Sequence, residues 1–194
     1  MTCTAPASAA LAAPDPFLTD GEVVLRPWRD EDTDAVTVAC QDPITQAFIP
    51  IPRPYRRQDA EAYIERTRIQ WALGTHAAFA IADAADPAVL LGAIDVALFG
   101  STGNAAYWVV PSARHRGVAT RALSLVTRWA LQAVPLVAVI LEIRPENVAS
   151  QHVAATAGFH VVGRLDVNDV TGDHDGLIFA RFAAVVEDSA VVQP

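Results

Sequence analysis

A short turn containing arginine and glycine is the part of this 194-residue sequence best suited to chemistry. An apolar run ending in Val109 and Val110 stops at Pro111, and a pattern of helical period begins at Val118. A strand, a turn and a helix in this order direct several backbone N–H groups, with the positive end of the helix dipole, at one point. The chemistry this predicts is the binding of a phosphate or pyrophosphate group.

The side chains of the turn suit the same chemistry. Gly117 allows the backbone to approach an anion, and the small Ala119 keeps the following turn open. Arg114 and Arg116 add charges that can pair with phosphate oxygens. An ordinary strand-to-helix connection with solvated arginines would have the same sequence, so the rest of the chain has to decide between the two.

Four stretches of the sequence, the turn among them, resemble the GNAT superfamily of N-acetyltransferases. Arg114-His115-Arg116-Gly117-Val118-Ala119 is similar to its R/Q-x-x-G-x-G/A acyl-CoA signature. Thr120-Arg121-Ala122-Leu123 resembles the helix opening of its ribosomal-protein-alanine acetyltransferase (RimJ/RimL-like) branch. Asn147-Val148-Ala149-Ser150 and Ala157-Gly158-Phe159 resemble the N-x-x-S and (A/L)-G-F elements of that branch. The resemblance covers residues 23–182.

The resemblance implies a fold and a donor, acetyl-CoA. The fold is α/β (α+β), a single GNAT-like domain with a mixed, mostly antiparallel sheet of about seven strands and about four flanking helices. Its fourth and fifth strands splay apart, and the gap would hold the pantetheine arm against free backbone groups of Val109 and Val110. A backbone N–H near these two residues would polarise the acetyl carbonyl.

The residues expected to bind acetyl-CoA by this resemblance lie on both sides of the gap. The pyrophosphate would lie on backbone N–H groups of the turn and the helix that follows. The complete predicted set is Val109, Val110, Arg114, His115, Arg116, Gly117, Val118, Ala119, Thr120 and Asn147.

Direct attack of an amine on the thioester is the reaction that the resemblance implies. Ser150 would then donate a proton to the leaving thiolate. Asn147 and Ser150 equally suit an N-cap and the third residue of a helix, and the two roles are compatible.

The base is harder to identify from the sequence. The candidates are Glu142, late in the fifth strand, and Asp95, in the third. The branch often carries a glutamate three residues before the tyrosine of its fourth strand, where this sequence has Asn104, which cannot act as a base. We assign the base to Glu142, although a carboxylate that pairs with Arg144 or with solvent would give the same pattern.

The expected acceptor is a primary amine, on a protein N-terminus or on a small molecule. An α-amine with a pKa near 8 is about a tenth deprotonated at neutral pH, so it depends less on a strong base than a lysine side chain does. The proline-rich segment 42–55 carries Phe48, Ile49 and Ile51. It either borders the acceptor site, as the resemblance implies, or caps the core.

Hydrophobic periodicity gives the element order β-α-α-β-β-β-α-β-α-β-β. Helices are predicted over residues 31–41, 56–73, 117–132 and 147–157. Strands are predicted over 22–27, 76–82, 89–99, 105–110, 136–143, 159–165 and 177–182. The domain organisation expected is a flexible N-terminal tail (1–16), the acetyltransferase domain (17–183) and a C-terminal tail (184–194).

The composition of the chain limits the classes of binding partner and the cellular location that we expect. A net charge of −8 argues against nucleic acid and anionic membranes as partners, and no stretch reaches the roughly 18 apolar residues of a membrane span. The Ala-rich start lacks the basic region of a signal peptide, which predicts a cytoplasmic protein.

All basic residues other than histidine are arginine, which excludes lysine chemistry. No metal is expected, the cysteines Cys3 and Cys40 are predicted to be free thiols, and a homodimer is suggested by the resemblance alone.

Two alternatives to an enzyme remain open. One is a non-catalytic acyl-CoA-binding or sensing module of the same fold, for which the missing acid at Asn104 is the argument. The other is an unrelated nucleotide-phosphate binder, which the absence of a Walker lysine and of a G-x-G-x-x-G motif makes remote.

Overall fold

The computed structural model describes residues 11–15, 17–165 and 175–184. The described strands are β1 (Leu18–Thr19), β2 (Val23–Arg26), β3 (His76–Asp83), β4 (Leu90–Phe99), β5 (Thr102–Val109), β6 (Ala138–Ile143), β7 (His160–Leu165) and β8 (Gly176–Phe182). The described helices are α1 (Thr33–Ala39), α2 (Pro43–Phe48), α3 (Arg57–Ala72), α4 (Val118–Ala133) and α5 (Val148–Thr156). The strands form one sheet in the order β1-β2-β3-β4-β5-β6-β8-β7. Only β5 and β6 are parallel neighbours; all other described pairs are antiparallel.

The predicted fold and element order are confirmed, with one further strand and one further helix. The added helix, α2, lies inside the segment predicted as a proline-stiffened loop. Pro43 occupies its first position, where a missing N–H has no cost, and the Asp42 side chain accepts a hydrogen bond from the Thr45 N–H. The predicted tails lie largely outside the described residues, as does Cys3, so the domain bounds stay predictions.

Helices cover both faces of the sheet and enclose a separate core on each. On the first, which we call the α4 face, α4 buries a stripe that recurs with helical period and includes Val118, Ala122, Val126 and Trp129. On the second, the α3 face, α1 and α3 cover Trp28, Tyr55, Ala78, Ala80 and Ala93. Because side chains alternate along a strand, Asp95 of β4 and Ala106 and Trp108 of β5 point to the α3 face.

A buried ion pair fixes the start of the domain. Arg26 of β2 and Asp32, in a 3₁₀ turn before α1, form two hydrogen bonds of 2.7 and 2.8 Å, and both side chains are almost fully buried. Arg26 also donates to the Pro87 carbonyl, and Asp32 accepts from the Arg29 N–H. Removing one partner would leave an unpaired buried charge, which typically costs about 3–5 kcal/mol. The pair therefore holds α1 against the sheet, on the side where the site lies.

The pairing of β5 with β6 stops after three residues. Thr102, Gly103 and Asn104 pair with Ala138, Val139 and Ile140, and beyond them the two strands part. Beyond this point, among the described strands, β5 pairs only with β4, and β6 only with β8. The predicted splay of these strands is thus present, and it leaves one edge of β5 unpaired over residues 105–109.

Candidate active site

A cavity of about 1130 Å³ opens on the α3 face, beside the parting of β5 and β6. Strands β4, β5 and β6 form its floor, and its walls come from α3, α2 with the proline-rich segment after it, and the start of α5. Of the predicted site residues, Glu142, Asn147 and Ser150 line this cavity, whereas residues 109–120 do not. The gap between the strands therefore separates two regions, the cavity and the turn before α4.

The turn before α4 has the backbone conformation expected of an anion site. Gly117 has a φ of +76° and His115 a φ of +59°, both in the left-handed region. A side chain at Gly117 would meet only Arg121, at 3.9 Å, so the conformation rather than crowding within the protein selects glycine. The first N–H groups of α4 have no intrahelical partner, and Gly117 provides no side-chain cap. They remain available for an anion.

The backbone of β5 shows which groups face the gap. The Val110 N–H donates to the Leu91 carbonyl at 2.9 Å, and the Val110 carbonyl accepts from the Ala113 N–H at 3.0 Å. Since alternate residues of an antiparallel strand bond to the same neighbour, the N–H groups of Tyr107 and Val109 point to the gap instead. The expectation that Val110 offers free backbone groups is therefore wrong, because the strand register uses both of them inside the protein.

The structure gives Arg114 a partner that the sequence did not indicate. Its guanidinium forms an ion pair with Asp42, donates to Thr45 Oγ1 at 3.3 Å, and donates through Nε to the Val109 carbonyl at 3.3 Å. The Arg114 hydrogen bond is the main reason why the pKa of Asp42 lies below its usual value. Arg116, by contrast, is exposed. One of the two turn arginines is thus anchored to α2, and the other extends into solvent.

A second arginine holds the opposite end of α2. Arg144, just beyond β6, donates to the Ala47 carbonyl at 3.1 Å, and its guanidinium lies 5.9 Å from the centre of the Phe48 ring. Each of the two splayed strands is therefore followed by an arginine that contacts α2. Arg114, after β5, contacts the start of α2, and Arg144, after β6, contacts its end. In sequence these partners are 72 and 97 residues apart, which is why no local pattern could reveal them.

Asn147 and Ser150 occupy the start of α5 as predicted. Asn147 is the N-cap, and its Oδ1 accepts the Ser150 N–H at 3.1 Å. The Tyr107 hydroxyl reaches across from β5 and donates to the Ser150 carbonyl at 3.4 Å. The capping role of Asn147 is confirmed, and Ser150 is held where the gap meets the cavity. Its role as an acid stays a prediction.

The two candidate bases lie on opposite sides of the gap. Asp95 is in β4, opposite Ala106 of β5, and is partly buried. Burial raises the pKa of Asp95 to about 6, against the opposing influence of a backbone N–H at Ala106 and of Arg66. Glu142 is in β6, opposite Ile178 of β8, and is exposed. Both carboxylates line the cavity.

The far wall of the cavity contains aromatic rings and the buried thiol of Cys40. Tyr63 of α3 packs edge-on against Trp28, with ring centres 5.3 Å apart, and the Arg66 guanidinium lies 5.5 Å from the Tyr63 ring centre. Cys40 is a free thiol in this wall, as predicted, and burial raises its pKa to about 11. At neutral pH it is therefore a protonated, unreactive group.

Two other features are absent from the described part of the chain. Residues 11–15, 17–165 and 175–184 contain no cluster of three or more histidine, cysteine or acidic side chains able to hold a metal ion. Within the same ranges no helix is both long and apolar enough to cross a membrane.

A family model and several solved structures match this chain. The model of the Acetyltransferase (GNAT) domain matches residues 22–160. RimJ of Mycobacterium smegmatis, in complex with a CoA disulfide, superimposes with a TM-score of 0.74 at 24% identity, over 86% of this chain and 85% of its own. The microcin C7 self-immunity acetyltransferase MccE, in complex with acetyl-CoA and AMP, gives 0.74 at 16% identity, over 86% and 98%. The ribosomal-protein-S5-alanine acetyltransferase of Vibrio fischeri gives 0.73 at 13% identity, over 87% and 97%. No curated protein matches the sequence.

Proposed function

This chain belongs to the GNAT acetyltransferase family, and on that premise we propose that it transfers the acetyl group of acetyl-CoA to a primary amine. The observation that carries the proposal is the parting of β5 and β6 after Asn104 and Ile140. At this point a cavity opens on the α3 face, while β5 continues into the turn before α4. Structures of the same fold hold CoA or acetyl-CoA, which supports the choice of donor.

The backbone around the gap suits the donor. The N–H groups of Tyr107 and Val109 can pair with the amides of the pantetheine arm, as a strand added to a sheet edge does. The N–H groups at the start of α4 suit the pyrophosphate, because the positive end of the helix dipole adds to their attraction. Of the two β5 N–H groups, that of Tyr107 lies farther from the turn and is the one proposed to polarise the thioester carbonyl, which makes its carbon easier to attack and leaves the Val109 N–H for a pantetheine amide.

Ser150 is the proposed acid. As the amine attacks, the C–N bond forms and the C–S bond breaks, and the sulfur leaves as a thiolate that requires a proton. The Ser150 hydroxyl supplies it and regains one from the attacking nitrogen through solvent. Asn147 keeps the start of α5 in place by its bond to the Ser150 N–H, so it acts as a positioning residue.

The cavity suits a cationic amine attached to an apolar body. Its described lining carries four carboxylates and two arginines, so the charge there is negative. Glu142 is the exposed carboxylate among them, and it attracts an ammonium group to the gap. Apolar side chains from the segment after α2 complete the wall. An N-terminal α-amine of a protein and a small-molecule amine both meet this description, and these are the proposed acceptors.

The test is thiol release from acetyl-CoA against a panel of N-terminal peptides, polyamines, aminoglycosides and arylamines. Calorimetric binding of CoA is measured on the same sample. Release that depends on one acceptor class supports the transferase and identifies its substrate. Tight CoA binding without release by any acceptor would favour the non-catalytic acyl-CoA-binding module instead. Light scattering of the sample tests the proposed homodimer.

A further inference from the structure

Asp95 lies on the floor of the cavity, with a small side chain on each neighbouring strand. Its neighbours across the sheet are Ala78 on β3 and Ala106 on β5, so no large side chain covers it from either side. Ala106 lies on the strand that borders the gap, beyond the last residue paired with β6. Neighbouring strands are about 4.8 Å apart, so the carboxyl lies one strand from the unpaired edge. An amine placed over Ala106 would lie beside it.

The register also places Asp95 next to a position that cannot accept a proton. Asn104 is two residues before Ala106 on β5 and points to the same face. It is therefore the diagonal neighbour of Asp95, a separation that side chains can bridge. At this position β5, which borders the gap, carries the amide of Asn104, and β4, beside it, carries the carboxyl of Asp95.

The groups around Asp95 leave it a usable base. Arg66 and Tyr63 face it from α3, His76 lies on the same face of β3, and Glu142 lies across the gap on β6. Burial, with a smaller contribution from Arg66, lowers the pKa of His76, so that histidine is neutral at pH 7. The other titratable or charged side chains lining the cavity are Cys40, Tyr55, Asp59, Tyr107, Arg144 and Asp175.

From this placement we infer that Asp95 is the general base of the acetyl transfer, an inference that rests on the proposed function. Its carboxylate removes one proton from the acceptor ammonium, which leaves a neutral amine with a free electron pair. That pair forms the new C–N bond as the C–S bond breaks, and the thiolate takes a proton from Ser150. The surplus proton on the acylated nitrogen returns to Ser150 through solvent. The proton on Asp95 then passes to solvent, so one proton is released per turnover.

Glu142, which the sequence predicts as the base, then has a different role. Glu142 is exposed on β6, beyond the gap, whereas Asp95 lies in the partly closed floor. A base with a pKa about 6 is roughly 90% deprotonated at pH 7, yet it holds a proton about 100 times more tightly than an ordinary aspartate does. Glu142 then contributes negative charge at the entrance, and Asp95 moves the proton.

The experiment compares Asp95→Asn with the matched variant Glu142→Gln, each of which removes one carboxylate charge from the cavity. We expect Asp95→Asn to lower kcat by about 10²–10⁴-fold, the usual contribution of a general base, and Glu142→Gln to act mainly on the KM of the acceptor. The pH profile of kcat/KM should rise through a pKa about 6 in the native protein and in Glu142→Gln, and should lack that limb in Asp95→Asn. Asp95→Glu should restore part of the rate.

Unchanged calorimetric CoA binding shows that each variant is folded. If Asp95→Asn keeps both its rate and the acidic limb, or if Glu142→Gln loses that limb, the assignment of Asp95 is overturned while the transferase stands. If the native protein acetylates no amine in the panel, the proposed function fails first. The two failures are therefore distinguishable.

Discussion

The two sides of the gap are built from different parts of the polypeptide. The proposed donor side comprises residues 105–109 of β5, the turn after it and the start of α4, and it consists of backbone groups oriented by strand register and by φ angles. The proposed acceptor side is the cavity, and it consists of side chains supplied by α2, α3, α5 and three strands. A backbone site depends on a few small residues in one stretch of sequence. A side-chain site depends on contacts between distant stretches.

The two proposed regions also differ in how much of each a local stretch of sequence can indicate. Gly117 and its neighbours lie in one hexapeptide, and Asn147 is a local capping signal, so both could be identified without the fold. The acceptor side needed the sheet register, which alone places Asp95 opposite Ala106 and beside the gap. Substitutions should therefore act differently on the two sides, and four pairs of variants test this.

The largest effect is expected at the centre of the donor side. Gly117→Val forces a branched side chain into a left-handed conformation and fills the space through which an anion approaches the first N–H groups of α4. We expect the Kd of CoA to rise by about 100-fold or more, equivalent to at least 2.7 kcal/mol. Gly100→Ala is the control, because Gly100 also has a positive φ, of +58°, and open space around it. It should lose stability and keep its CoA affinity.

The next effect concerns the stability of the acceptor side. Because the folded protein raises the pKa of Asp95 to about 6, the unfolded chain loses this proton first as the pH rises, and stability falls between about pH 4 and pH 6. Asp95→Asn removes the buried charge and should raise the free energy of unfolding at pH 7.5 by about 2–3 kcal/mol. Below about pH 4 the gain should vanish, since both forms are then neutral.

Urea unfolding at the two pH values measures this gain. Glu142→Gln, at an exposed position, should stay within about 0.5 kcal/mol of the native protein at both. A gain that persists unchanged at low pH would mean that packing, not charge, is responsible. A more stable but slower variant is the signature expected of a group kept for chemistry rather than for folding.

A smaller effect is expected at Ser150, where the two sides meet. Ser150→Ala removes the hydroxyl but leaves the backbone N–H that Asn147 caps and the carbonyl that Tyr107 contacts. We expect kcat to fall by about 10–100-fold with CoA binding unchanged, since solvent can still protonate a thiolate slowly. Ser112→Ala, in the exposed 3₁₀ turn after β5, is the control. Equal rates for the two variants would remove Ser150 from the mechanism.

The sequence could supply most of the fold because its elements have strong local signals. The stripe of α4, the apolar run of β6 and the proline and glycine boundaries fixed element types and order. What it could not supply were the consequences of register and of long-range pairing. Val110, for instance, bonds through its backbone to Leu91 and Ala113, and no local sequence pattern indicates either partner. The sequence predicts a loop where the short helix α2 lies, because six residues are too few to show a helical period.

The last prediction concerns the link between the two sides, which passes through Arg114. Arg114→Gln and Arg116→Gln each remove one positive charge from the same turn, but only Arg114 holds Asp42 and hence α2. We expect Arg116→Gln to weaken CoA binding by a few-fold through lost charge, and to leave the KM of the acceptor unchanged. Arg114→Gln should raise the KM of the acceptor by about 5–10-fold, because α2 carries the cavity wall and Asp42 loses its partner. If the two variants prove indistinguishable in both constants, Arg114 belongs to the donor side alone, and the two halves of the site are joined only by the substrate that spans them.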